Sequence, residues 1–309
     1  MGAYTDLQSL IALEYKARGF SFLPSQPVHS LLAGRRGSRM RGRGLNFEEL
    51  RGYVSGDDIR VIDWRVTARM RKPFVRVYME ERDRPTLLVV DQRVNMFFGS
   101  RASMKSVIAA EAAALVAWRV FQQGDRVGAV VFNDRTTEEI RPKRSRASVL
   151  RILEILVRLN KLLHATYESQ SADHRLNDIL RKVAQLARRD YLIVVASDFD
   201  GANDTTRDLL RSLSQHNDVI ALLTYDPLAV QLPPVGQLVV SDGELQVELP
   251  FGDDKIRKTI LEASDRRMRH IFAWQKEIRV PVMPLSTAED TAFQIHHLLG
   301  QVASRRIRR

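Results

Sequence analysis

The stretch TLLVVD, residues 86–91, runs directly into QRVN, residues 92–95. A short, unbroken apolar run bounded by polar residues reads as a strand buried on both faces. Its last residue, Asp91, then sits at the carboxyl edge of a sheet, where open α/β folds hold their ligands. Two residues on stands Arg93, a permanent cation. An apolar run that stops on an acid marks a metal or phosphate site at the edge of a sheet, and the arginine beside it argues against a metal.

Outward from this strand the pattern repeats. Residues 102–123 carry Met104, Val107, Ile108, Leu115 and Val116 on one helical stripe, and Gly124-Asp125 closes it. RVGAVVFND (126–134), YLIVVASD (191–198) and DVIALLTYD (218–226) read as further buried strands, with amphipathic helices between them. GQLVVSDGELQVEL (236–249) reads as a hairpin turning on Asp242-Gly243. A long helix over 253–277, a strand in RVPVMPLS and a helix over 288–299 complete the chain. Strands alternating with helices give an α/β fold around a doubly wound, mainly parallel sheet. If Asp91 ends the central strand and Asp198 its neighbour across the switch point, their carboxylates converge. Asp226 ends the strand after that.

Upstream, residues 5–18 read as an amphipathic helix and GRRGSRMRGRG (34–44) as a basic loop. FVRVYMEE (74–81) alternates like an exposed or edge strand. The expected organisation is an N-terminal charged segment with β-strands over 1–84, the α/β domain over 85–301 and a basic tail over 302–309.

Composition narrows the chemistry. The chain has 309 residues, no cysteine and a formal charge of +11. Thiolate metal sites, disulfides and a cysteine nucleophile are excluded. Residues 34–76 hold 12 Lys/Arg against 5 Asp/Glu, and the last nine residues add four arginines. Arg35, Arg36, Arg39, Arg41 and Arg43 form the expected basic surface, able to meet nucleic acid, anionic lipid or an acidic protein. No stretch reaches the roughly 20 apolar residues of a membrane span, and no signal peptide is expected, since the opening residues carry Asp6 and Glu14. A cytoplasmic location is expected. No phosphate loop, dinucleotide fingerprint, nucleophile elbow or H-E-x-x-H occurs. The seven histidines are scattered, and Glu111, inside an apolar stripe, is expected to pair with Arg119.

One box is highly specific. LRGYVSGDDIRVIDWRVTAR (50–69) is followed by EERD (80–83) and the strand ending at Asp91. The matching positions are Leu50, Arg51, Tyr53, Gly56, Asp57, Asp58, Arg60, Ile62, Asp63, Trp64, Ala68 and Arg69, then Glu80 to Asp83. This resembles the bacterial domain-of-unknown-function family fifty-eight (DUF58). The resemblance implies a von Willebrand factor A-like α/β domain with an N-terminal accessory segment. It further implies no enzymatic activity and partnership with MoxR-type AAA+ ATPases in assembly or metal-insertion tasks. Two readings of the box stay open: an ion-pair network with Trp64 in the core, or a binding surface.

Many von Willebrand A-like domains hold Mg²⁺ through D-x-S-x-S, a later Thr and a later Asp. Here Asp91, Asn95 and Asp198 are the candidate remnants, with Arg93 at the first serine position. The threonine region offers only Ser145 and Ser148. Mg²⁺ wants near-octahedral oxygen, and a cation at ~5 Å opposes it by about 3 kcal/mol at an effective dielectric near 20. No bound metal is expected, with Arg93 neutralising Asp91 or Asp198 in its place. The leading expectation is a non-enzymatic interaction module whose crevice rim, around Asp91, Asn95 and Asp198, meets a MoxR-like ATPase. The alternative is nucleic-acid binding through the arginine loop and tail, weak and sequence-blind. A third reading, a Mg²⁺-dependent hydrolase, lacks a general base beyond the two aspartates.

Overall fold

The computed structural model describes residues 2–18, 45–54, 57, 59–80, 84–164, 174–229, 237–241, 246–250 and 254–304. They belong to two compact units. One joins the N-terminal helix α1 (Leu7–Lys16) to everything from Arg84 onward, and the other lies between them in sequence.

The smaller unit is a two-stranded antiparallel ribbon with a helical connection. β1 (Leu45–Gly52) pairs with β2 (Phe74–Glu80), with a register shift between Phe47 and Glu49. Only β2 announces itself in the sequence, because Glu48 and Glu49 interrupt the alternation of β1. Between the strands lie a 3-10 turn at Ile59–Val61 and the short helix α2 (Trp64–Met70). Asp63 starts α2 as its N-cap, accepting the N–H groups of Arg65 and Val66. Thr67 Oγ1 accepts the Phe74 N–H at 3.0 Å and ties the helix back to β2.

The larger unit runs β3 (Thr86–Asp91), α3 (Lys105–Gln122), β4 (Val127–Phe132), β5 (Thr137–Lys143), α4 (Arg146–Lys161) and α5 (Arg175–Leu186). It continues with β6 (Leu192–Ser197), α6 (Asp204–Ser214), β7 (Asp218–Tyr225), the antiparallel hairpin β8 (Gln237–Ser241) and β9 (Gln246–Pro250), α7 (Asp254–Glu277), β10 (Val282–Ser286) and α8 (Thr291–Ser304). Asp242 and Gly243, the expected hairpin turn, lie outside the described residues.

Six strands form one sheet in the order β10-β7-β6-β3-β4-β5. All neighbours are parallel except β4 and β5. The strand β5 was not expected: only Ile140 of TEEIRPK is buried, so its sequence looks like a loop. Its register against β4 shifts beside Gly128, where a Cβ would meet the Ile140 carbonyl at 2.4 Å.

Alternation along β3 divides the core. Leu88 and Val90 pack toward α1, α3, α4 and α8, while Leu87 and Val89 pack toward α5, α6 and α7. Burial of both faces explains the continuous apolar run. The N-terminal helix belongs to the first of these layers. Leu10 is fully buried, and Trp118 Nε1 donates to its carbonyl at 3.0 Å. The expected grouping of residues 1–84 therefore divides at α1, whose apolar stripe is covered by α3. Glu111 also differs from expectation. Its partner is Thr291 Oγ1 at 2.5 Å rather than Arg119, and burial raises its pKa above the usual glutamate value.

Candidate functional site

The chain returns from β4 and β5 to place β6 on the other side of β3. The switch point thus lies between β3 and β6, and the last residue of β3 and the first residue after β6 bring Asp91 and Asp198 to one edge. The turn after β3 is built by Asp91 itself, whose Oδ1 accepts the Arg93 N–H at 3.0 Å. A 3-10 turn at Val94–Met96 follows, fixed by Asp134 Oδ2 accepting the Val94 N–H at 2.8 Å. Asn95 is thereby aimed across the switch point, and its Nδ2 donates to Asp198 Oδ1 at 3.1 Å.

Arg93 turns inward. Its Nε donates to Asp91 Oδ1 at 3.0 Å and its Nη2 to Asp91 Oδ2 at 2.8 Å, a bidentate fork. The same Nη2 reaches the Asp200 carbonyl at 3.2 Å, and the guanidinium lies 5.9 Å from the centre of the Phe132 ring. Ser197 Oγ donates to Asp91 Oδ2 at 2.6 Å. Asp91 is 0% exposed and Arg93 7%. Burial disfavours the Arg93 cation, but Asp91, Asp198 and Asp200 outweigh it and raise its pKa above the ordinary arginine value.

Asp198 has its own cation. Lys105 Nζ stands 2.5 Å from Asp198 Oδ2. A lysine at the first position of α3 opposes the helix dipole, so its ion pair with Asp198 has to offset that placement. Arg267, from α7, donates to the Asp198 carbonyl and pairs with Asp200 Oδ1 at 2.7 Å. Burial pushes the Asp198 carboxyl up, while Lys105, Arg267 and Arg93 outweigh it and hold it at about 2. Asp226, the next carboxylate along the edge, accepts from the Ser100 hydroxyl at 2.6 Å and the Thr287 hydroxyl at 2.5 Å. Burial raises its pKa, yet these donors leave it below the usual range.

These residues do not fit Mg²⁺. Both oxygens of Asp91 are taken by Arg93, and Asp198 is taken by Lys105 and Asn95. Asn95 offers Asp198 its amide hydrogen, so only Asn95 Oδ1, buried and without a partner, remains as an acceptor. One oxygen does not make an octahedral shell. Ser145 and Ser148 are occupied elsewhere, Ser145 capping α4 through the Ser148 N–H. Among the described residues no cluster of three or more His, Asp or Glu side chains could hold a metal.

The structure thus unites Asp91, Asn95 and Asp198, as their strand positions imply. It corrects one expectation: Asp91 is no rim residue offered to a partner, because the fork and the strand bury it completely. The more accessible members of this edge are Asp200 and Arg267, both half-buried, with side chains 50% and 40% accessible. Sequence reasoning missed Lys105, Ser197, Asp200 and Arg267. Ser197 had a faint signal, as the polar residue closing an apolar strand.

The box residues fare differently. Arg51 grips Asp57 through two bonds of 2.9 and 2.8 Å, and Asp57 Oδ2 also accepts the Val54 N–H. The Arg51 hydrogen bond is the main reason the Asp57 carboxyl lies below its usual value. The Tyr53 N–H donates to the Pro73 carbonyl. Asp63 is buried as the α2 cap, while Arg60 and Arg69 are exposed. Trp64 is 67% exposed, which corrects the reading that places it in the core. Gly56, Asp58, Arg35, Arg36, Arg39, Arg41 and Arg43 lie outside the described residues, as does the arginine tail.

A family model described as "Protein of unknown function DUF58" matches residues 49–270. Uncharacterized proteins of Mycobacterium tuberculosis and Mycobacterium bovis are 29% identical over 284 residues, covering 91% of this chain and 86% of theirs. Among solved structures, a conserved hypothetical protein BatB from Bacteroides thetaiotaomicron aligns with a TM-score of 0.39 and 11% identity, over 72% of this chain and 99% of its own. An uncharacterized membrane spanning protein from Vibrio fischeri aligns with a TM-score of 0.22 and 14% identity, over 70% and 96%. Among the described residues no helix is long and apolar enough to cross a membrane.

Proposed function

The chain belongs to the DUF58 family, and from that premise we propose that it is a non-enzymatic interaction module, a von Willebrand factor A-like domain working with a MoxR-like AAA+ ATPase. Its role is that of an adaptor in an assembly, maturation or chaperone-type process in the cytoplasm. The observation that carries this reading is the fork between Arg93 and Asp91. In a metal-dependent domain of this type an ion occupies that edge. Here a guanidinium and an ammonium neutralise Asp91 and Asp198, so neither of these carboxylates is free to act as a general base. What the edge offers is a fixed charge pattern: Asp200 and Arg267 outward, held by the buried pairs beneath. An ATPase that changes shape with nucleotide presents a matching face in one state more than in another.

The test is capture of the purified MoxR-type ATPase of the same organism, with and without a slowly hydrolysed ATP analogue. Capture is expected to depend on nucleotide and to persist with a chelator present. Asp200→Lys and Arg267→Glu, each half-buried, are expected to weaken it by more than any accompanying fall in melting temperature explains, with Asp198→Asn as the control for stability alone. Failure of the wild-type chain to bind the ATPase in every nucleotide state overturns the reading.

A further inference from the structure

The connection from β1 to β2 inverts the usual placement of apolar side chains. Val54, Ile59, Trp64 and Met70 are each more than half exposed. Single exposed apolar residues are ordinary, but four large ones within 17 positions of one short connection are not. The helix α2 has an inner and an outer side. Val66 and Thr67 face inward and are half-buried, and Thr67 is bonded to β2. Trp64, Arg65, Ala68 and Arg69 are exposed, and their i, i+1, i+4, i+5 spacing puts them on one side. Trp64 and Ala68 thus form an apolar stripe with Arg65 and Arg69 beside it. Arg71 and Lys72 follow, both exposed. Among the described residues, the carboxylates of this connection are otherwise engaged: Asp57 in the Arg51 fork and Asp63 as the helix cap.

We propose that this connection docks on an anionic lipid bilayer, with Trp64 seated at headgroup level and the arginines on the lipid phosphates. Tryptophan favours that zone because its ring is apolar and its N–H polar. Clusters of four to eight Lys/Arg beside an amphipathic helix are the recognised means of holding an anionic leaflet. The excess of positive charge extends over residues 34–76, 12 Lys/Arg against 5 Asp/Glu. Within the described connection, Arg65, Arg69, Arg71 and Lys72 are all exposed, and such a group suits a continuous negative surface better than one acidic protein pocket. Nucleic acid answers the arginines and Trp64, but gives no reason to expose Val54, Ile59 and Met70. The docking is peripheral and reversible, since one short helix buries little apolar area. It does not rest on the ATPase reading.

The experiment uses the full chain and vesicles of equal parts phosphatidylglycerol and phosphatidylcholine. Of the three tryptophans, Trp118 and Trp274 are 0% exposed, so changes in quenching report on Trp64. Anionic vesicles are expected to sediment with the protein, shift its emission to the blue and protect it from acrylamide. Pure phosphatidylcholine leaves all three unchanged, and added salt reverses them. Trp64→Ala is expected to weaken vesicle binding by about tenfold with an unchanged melting curve. The double variant Arg65→Glu, Arg69→Glu abolishes it. No binding to anionic vesicles overturns the proposal, as does binding that both variants leave intact. Protection of Trp64 by a single-stranded oligonucleotide but not by vesicles overturns it in favour of nucleic acid.

Discussion

The carboxyl edge of the large sheet and the connection between β1 and β2 use arginine in opposite ways. At the edge, Arg93 is folded inward onto a carboxylate that water never reaches. In the connection, Arg65 and Arg69 stand outward beside an exposed tryptophan. Arginine is permanently charged in both places. Inside, its charge completes a structure that is unstable without it. Outside, it is a signal to something else. Residue type therefore says little about role until burial is known, and the two regions call for opposite experiments.

The largest effect is expected at the edge. Arg93→Ala strands the buried Asp91 with only Ser197 and backbone donors, a loss of about 3–5 kcal/mol measurable by denaturant unfolding. A loss below about 1 kcal/mol breaks the comparison, because the pair then behaves like a surface one. Next comes acid. The folded pKa of Asp198, about 2, lies below its unfolded value. The stability this gives is present above the unfolded pKa and disappears as pH falls toward 2. It amounts to about 2 kcal/mol. Asp198→Asn should remove that part of the acid limb, and an unchanged limb contradicts the assignment.

The connection supplies the smaller effects. Asp63→Ala removes the α2 cap and should cost about 1–2 kcal/mol. Trp64→Ala should change stability by no more than about 0.5 kcal/mol, although truncating a buried tryptophan costs about 3–5 kcal/mol. Thermal melts of the two variants side by side decide whether Trp64 belongs to the fold or to its surface. The smallest expected effect is that of Mg²⁺. Melting curves with millimolar Mg²⁺ and with chelator should coincide, and a saturable rise of several degrees shows that a cation has displaced Arg93 or Lys105.

Much of the larger unit is legible in the chain. The strands β3, β4, β6 and β7 are apolar runs because helices cover both faces, and the meeting of Asp91 with Asp198 follows from strand order. The edge strand β5 is not legible, since one buried isoleucine makes no pattern. Lys105 and Arg267 were missed because they lie 93 residues before and 69 residues after Asp198. Glu111 was paired with a local arginine, whereas its partner lies 180 residues on. Trp64 misled for another reason. In a dense motif a tryptophan resembles core, but the side of α2 it occupies is set by the Asp63 cap and the Thr67 bond to β2. Those are local geometry, which composition does not carry.

The seat of α1 has a consequence for how the molecule comes into being. Lys16 pairs with Asp290 across 274 residues, and its carbonyl meets His296 across 280. At about 5–20 residues per second, a ribosome needs roughly 15 to 55 seconds to make the chain between them. Leu7, Leu10 and Ile11 wait less, because α3, whose Trp118 donates to the Leu10 carbonyl, is made only 108 residues after them. The seat of α1 is thus closed in two steps, its apolar stripe by α3 and its last polar contacts near α8, so a newborn chain carries a sticky segment until α3 is out. Slowing elongation should lengthen that window and raise the aggregated fraction, whereas substitutions at Trp64 leave it untouched.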